Sequence, residues 1–201
     1  MSDPPLQIQP LTPATFDRLG ELFAEGGDPS WCWCAFWRLR GAAGSKAEAG
    51  QNRALLAGLA QSGDPAPGLV ALRDGRAVGW VSLGPRDGYP RLLHSKGYAP
   101  VDRRPVWSIV CFVVSRAGRG RGVGGELLAA AVEHARRHGA TTVEGYPVDA
   151  GAGRIPAARA NTGTVSMFTR AGFTLVATRR ATPTARPRLI MRRELAPPGP
   201  G

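Results

Sequence analysis

Apolar positions in this chain recur with two periods, and the switches between them mark out the elements. Leu6 and Ile8 alternate with Gln7 and Gln9, the period of a short strand over residues 6–11. From Thr12-Pro13 the period lengthens. Phe16, Leu19, Leu22 and Phe23 share one helical face, with Thr12 as N-cap and Gly26-Gly27 as the stop. Leu55, Leu56 and Leu59 predict a second helix over 47–61, ended by Ser62-Gly63-Asp64-Pro65. Apolar runs at 68–72 and 77–83 flank Arg73-Asp74-Gly75-Arg76, a hairpin signal. Trp107 to Val114 is too continuously apolar for a strand with one wet face. The helical period returns at Val123, with Leu127, Leu128, Ala131 and Ala135 on one face and Gly139 as its stop. Residues 141–146 read as a strand, 161–171 as a short helix ending at Gly172, and 173–178 with 188–195 as a closing antiparallel pair.

The order is strand, two helices, three strands, helix, strand, helix, two strands. A strand–helix–strand unit over 107–146 is a crossover, so its two strands should run parallel. Length adds one point: 201 residues fit a single domain over 6–195, with tails at 1–5 and 196–201. No apolar run has the length of a membrane span, and the N-terminus lacks the basic and apolar regions of a secretory signal. A cytoplasmic protein with no membrane partner is expected.

Charge changes the picture less than its size suggests. The formal net charge is +11, but the 24 arginines are scattered and no basic block is interleaved with aromatics, so nucleic acid is not the expected partner. Some of the charge would serve an anionic ligand. Cys32 and Cys34, one residue apart and with no matching pair downstream, make a poor zinc site, so no metal is expected. The odd count, with Cys111 inside a strand, argues against a disulfide framework.

The candidate chemistry centres on the turn after the apolar strand. Ser115 to Gly122 holds three arginines and three glycines, and then a helix begins. Free amides at a helix start, glycines that admit close approach and forked arginine donors suit a phosphate-bearing ligand. The alternative is an ordinary glycine-rich turn. Trp31 to Arg38 packs four large aromatics into seven positions, as a cover over the core or as one wall of a substrate pocket. Trp33 and Trp37 are the pocket candidates there. The long 84–104 connection adds Tyr89, with Arg91, His94 and Tyr98 nearby.

Arg119-Gly120-Arg121-Gly122-Val123-Gly124, placed between a strand and a helix, resembles the Q/R-x-x-G-x-G/A signature of the GNAT superfamily of acyl-CoA-dependent N-acyltransferases. Asn161, Phe168 and Gly172-Phe173 are spaced as in that family's next helix. The resemblance covers residues 6–195. It implies an α/β (α+β) fold: a mixed central sheet of about seven strands flanked by helices, with a splay between strands four and five. It also implies acetyl-CoA as acyl donor, its pyrophosphate held by Arg119, Gly120, Arg121, Gly122, Val123, Gly124 and Gly125. The pantetheine arm would lie along the main chain of Phe112, Val113 and Val114, with Asn161 and Phe168 beside it. An amide near Phe112 or Val113 would stabilise the oxyanion formed when an amine attacks the thioester directly.

Two positions depart from the family. Phe168 stands where many members have a tyrosine acid, so Tyr146 or Ser166 takes that part, or the thiolate leaves unassisted. Ser108 stands where some members have a glutamate base. Glu144 on the next strand is the candidate base; the alternative is that it pairs with an arginine and is structural. A covalent route through Cys111 is chemically open, but a buried cysteine without a base is usually inert. The expected acceptor is a small-molecule amine. A macromolecular amine (protein or aminoacyl-tRNA) and a non-catalytic acyl-CoA-binding module remain alternatives, and a homodimer is left open.

Overall fold

The computed structural model describes residues 4–40, 46–149, 151 and 160–196. Most of the two expected tails and of the loop before Asn161 lies outside the described residues. Seven strands form one sheet: β1 (Gln7–Pro10), β2 (Gly68–Arg73), β3 (Arg76–Pro85), β4 (Trp107–Val114), β5 (Thr142–Gly145), β6 (Thr174–Arg179) and β7 (Arg188–Glu194). Their order is β1-β2-β3-β4-β5-β7-β6. Every pairing is antiparallel except β4 with β5, which is parallel, as a crossover helix between them requires.

Two layers of helix explain why the central strands read as unbroken apolar runs. On β2, Val70 and Leu72 belong to one core cluster and Leu69 and Ala71 to the other. The first cluster holds Leu19 and Phe23 of α1 (Pro13–Ala24), Leu56 of α3 (Ala49–Gln61) and Trp33, just past α2 (Pro29–Cys32). The second holds Leu127, Leu128 and Ala131 of α5 (Val123–Arg137) and Phe168 of α6 (Val165–Arg170). Each wholly buried Leu or Phe contributes roughly 1.5–3 kcal/mol against leaving it exposed. α4 (Pro90–Leu93) is a single turn in the connection between β3 and β4.

Three expectations need adjustment. The buried residues of α3 are Asn52, Leu56 and Ala60, an i, i+4 stripe rather than the Leu55–Leu59 face, and Asn52 is turned inward because its amide donates to the Trp31 carbonyl at 2.9 Å. The last helix begins at Val165, not Asn161, because Thr164 is extended and its hydroxyl caps the Met167 amide. The 84–104 connection is mostly short helical turns, and it carries a buried arginine, Arg86.

The feature that positions the site is a parting of the sheet. β4 is eight residues long, but only Trp107, Ser108 and Ile109 pair with β5. Beyond Ile109 one edge of β4 leaves its neighbour, while the other edge stays paired with β3 as far as Val114.

Candidate active site

Two cavities open on either side of this parting, and Asn161 lines both. The first is a groove of about 510 Å³ along the free edge of β4. Cys111, Phe112, Val113 and Val114 form one side, and Leu22, Glu25 and the turn after α1 form the other. The Ser115 amide bonds to the β3 side, to Val78 O at 3.0 Å. Alternation along the strand therefore turns the Phe112 and Val114 amides toward the groove side. The Phe112 amide is already used: it donates to the Asn161 carbonyl at 2.6 Å. Asn161 thus reaches this strand through its backbone carbonyl.

At the mouth of the groove stand Arg116 and Arg119, and past them the chain enters α5. Gly120 and Gly122 have φ of +75° and +78°, so any L side chain there is strained. Space for a Cβ is open at both. The amides of Gly120, Gly122, Val123 and Gly124 donate to no backbone carbonyl among the described residues. They meet the positive end of a fifteen-residue helix, a setting that favours an anion. The side chains play different parts. Val123 is buried against Gly79, and a Cβ at Gly124 would sit 3.4 Å from Met167 Sδ, so both face the core and only their amides are available. Arg119 Nε donates to the Val114 carbonyl at 3.3 Å, tying the turn to the strand end.

Phe168 lines neither cavity. It is fully buried, where Gly145 and Gly163 leave room for its ring: a Cβ on Gly145 would meet Phe168 at 2.1 Å. It packs on Phe112 and Phe173 and acts on the groove only by holding β4 in place.

Glu144 faces inward but does not reach a cavity. Its Oε1 accepts from Arg86 Nη1 at 2.6 Å and from the Tyr146 hydroxyl at 2.7 Å, and its Oε2 accepts from Arg192 Nε at 2.8 Å. No part of it is exposed. Arg192 reaches on to Asp102 at 2.6 Å, and Arg86 also donates to the Tyr98 carbonyl. Tyr146 is the hub of the remainder, with its hydroxyl 2.8 Å from Ser108 Oγ. Burial, and then the Glu144 charge, push its phenol well above the ordinary range. Its proton is directed at Glu144. The geometry therefore favours the structural alternative for Glu144, and Tyr146 lines neither cavity.

The aromatic candidates divide. Trp37 lines the second cavity. Trp33 does not: it is buried between Phe16 and Phe23, on a backbone turned to φ +47°. Tyr89 is also fully buried, covered by the Arg38 guanidinium 4.5 Å from its ring centre. Cys32, Cys34 and Cys111 gather in the groove wall. Cys34 Sγ accepts from Trp80 Nε1 at 3.2 Å, and its hydrogen bond with Cys111, together with burial, holds its proton far above the ordinary thiol range. No histidine lines the groove among the described residues, so a covalent route through Cys111 has no imidazole base there. Among the described residues no group of three or more His, Cys, Asp or Glu is placed to hold a metal.

The family model for the acetyltransferase (GNAT) family matches residues 32–173. The chain belongs to the GNAT acetyltransferase family. The match runs from Cys32 to Phe173 and so includes β4, the glycine-rich turn, α5 and β5. No curated protein sequence matches the chain significantly. Among solved structures, the polyamine N-acetyltransferase of Drosophila melanogaster is similar at 16% identity and TM-score 0.59, covering 95% of this chain and 100% of that one. A GCN5-related N-acetyltransferase from Kribbella flavida is similar at 20% identity and TM-score 0.55, covering 94% and 98%. The Escherichia coli enzyme that acetylates an alanine of a ribosomal protein gives 14% identity and TM-score 0.53, covering 97% of each. At these identities the likeness establishes the fold.

Sequence reasoning missed Arg86, Asp102 and Arg192. One signal for Arg192 was present: on β7 it lies two residues from the buried Ile190, so it shares an inward face of a central strand. An arginine at such a position needs a buried partner. Nothing in the sequence marked Arg86 off from the other arginines of its connection.

Proposed function

We propose that this acetyltransferase moves the acetyl group of acetyl-CoA to the amine of a small acceptor by direct attack. The observation that carries the reading is the meeting of the two cavities at Asn161. A groove suited to a long donor and a separate cavity of about 900 Å³ share one point, beside the parted strand. Bound acetyl-CoA supplies an activated thioester. The amides of Gly120, Gly122, Val123 and Gly124, with Arg116 and Arg119, fit the pyrophosphate of such a donor. The Val114 amide and the main chain of Phe112 and Val113 fit the amide-bearing arm.

For the rest of the reaction this chain's own residues orient the reactants and move a proton. The acceptor enters from the second cavity and meets the donor at Asn161. Holding both in line lowers the barrier by replacing a chance encounter with a positioned one. The proton acceptors in that cavity's wall are His94 and Asp149, and Glu144 is not among them. For the Phe112 amide to stabilise an oxyanion, the Asn161 carbonyl must first give up its 2.6 Å bond.

Calorimetric titration with acetyl-CoA tests the donor site. Wild type should bind. Gly122→Val should lose at least about tenfold in affinity, the scale of one hydrogen bond to a charged group at about 1.5–3 kcal/mol. Equal affinity in the two proteins would move the donor elsewhere.

A further inference from the structure

The second cavity has an electrostatic character of its own. Arg40, Arg91, Arg186 and Arg188 line it together with His94, against a single carboxylate, Asp149. Arg40, Arg186 and Arg188 are exposed and form no ion pair among the described residues. Some arginines elsewhere do have carboxylate partners: Arg192 has two, and Glu133 serves both Arg136 and Arg137. Like charges crowded round one concave wall repel one another, and a low-dielectric rim strengthens their combined field. Such a wall is stabilised by an anion that enters it.

The charges are also sorted. Asp149 belongs to the segment that bonds to the chain next to Asn161: the Val148 amide donates to Gly163 O at 2.9 Å, and the Val165 amide donates to Val148 O at 3.1 Å. Asp149 and Asn161 therefore share the wall that meets the donor groove. The arginines come from the other sides: Arg40 from the chain after Trp37, Arg91 from α4, Arg188 from the start of β7 and Arg186 from just before it. A molecule with an ammonium group near Asp149 and an anionic group among the guanidiniums matches both walls.

We infer that the acceptor is a small amine carrying an oxyanion, a carboxylate or a phosphate, on the same molecule. This rests on reading the second cavity as the acceptor site. Forked guanidinium donors pair with either anion in two parallel hydrogen bonds, and a compact ammonium would not replace them. A polyamine meets the opposite condition, because both of its ends are repelled by the arginine walls. The likeness to a polyamine acetyltransferase therefore stops at the fold.

The test is calorimetry of the full chain with four matched probes: 4-aminobutanoate, 2-aminoethyl phosphate, n-butylamine and 1,4-diaminobutane. At least one anionic amine should bind about tenfold or more tightly than the diamine, and the stronger of the two identifies the anion. That affinity should fall about tenfold or more in Arg186→Gln/Arg188→Gln, and it should weaken as salt is raised. The double variant should keep its thermal midpoint, since both side chains are exposed. Diamine binding as tight as the anionic probes, no binding of either anionic probe, or affinity indifferent to the double substitution overturns the inference. Thiol release from acetyl-CoA, measured on the same panel, separates this from the transferase reading. Turnover with the diamine but not the anionic amines sinks the inference and leaves the transferase standing. Anionic probes that bind in a protein which does not bind acetyl-CoA do the reverse.

Discussion

Two groups of arginines lie within a few residues of each other in this protein and do opposite things. Arg86 and Arg192 are buried and paired with carboxylates: Glu144 takes both, and Asp102 takes Arg192 again. Arg40, Arg186 and Arg188 face a cavity with no such partners among the described residues. On β7 the two kinds are four residues apart in one strand. The difference shows that arginine count and net charge say little about ligands. Pairing decides. A guanidinium that its own fold has neutralised holds strands together, and one left open to a cavity is available to an anion.

The sharpest way to break this comparison is to remove the shared carboxylate. Glu144→Ala leaves two buried guanidiniums short of a counter-charge and should cost about 3–5 kcal/mol in urea unfolding. Glu144→Gln should also lose stability, while turnover per folded molecule stays near wild type. Unchanged stability with a hundredfold loss of turnover would restore Glu144 as a base. The second test is a matched pair, one residue on β7 and one two positions before that strand begins. Arg192→Met should destabilise strongly, by the same argument, whereas Arg186→Gln should stay within about 0.5 kcal/mol, as exposed substitutions do.

Acid should act outside the cavity arginines altogether. Burial, followed by the charge of His138, lowers His134 to about 4 from an ordinary 6.5. Its folded form stays neutral while the unfolded chain takes a proton. The stability it contributes is full above pH 6.5 and lost as pH falls towards 4, on the order of 1–2 kcal/mol. His134→Leu should flatten that part of a urea midpoint-against-pH curve. Asp102 titrates lower. Its hydrogen bond from Arg192 is the leading cause that holds it below the usual carboxylate range, so its contribution persists above an ordinary 3.8 and is lost only as pH falls further. Asp102→Asn should remove the loss below pH 4 and leave the His134 step intact.

The strands, the crossover and the glycine-rich turn were legible because each is a local pattern. The run Trp107–Val114 is apolar on both faces, and Gly122 stands where a left-handed residue must start a helix. The residues that meet across the fold were not. Glu144 alternates inward on its strand, and that much was readable. Whether it then faced a substrate or an arginine depended on Arg86, 58 positions earlier, and Arg192, 48 later. Trp33 and Trp37 carry the same aromatic surface and are both buried in one core cluster, and their spacing did not say that Trp37 of the two would also line a cavity. Asn161 was singled out by spacing, but its spacing could not say that its backbone carbonyl would take the Phe112 amide.

The parting of the sheet has a consequence for how the molecule opens. Only three residue pairs join β4 to β5, so the half made of β1–β4 and the half made of β5, β7 and β6 share little backbone bonding. Side chains bridge the gap: Arg86 after β3 bonds to Glu144 and Tyr146, Ser108 on β4 bonds to Tyr146, and Glu144 in turn holds Arg192. Amide protons on the two halves should therefore exchange with solvent as two separate cooperative blocks. A molecule lodged between them would slow both at once, so proton exchange reports occupancy of the gap even when no reaction follows.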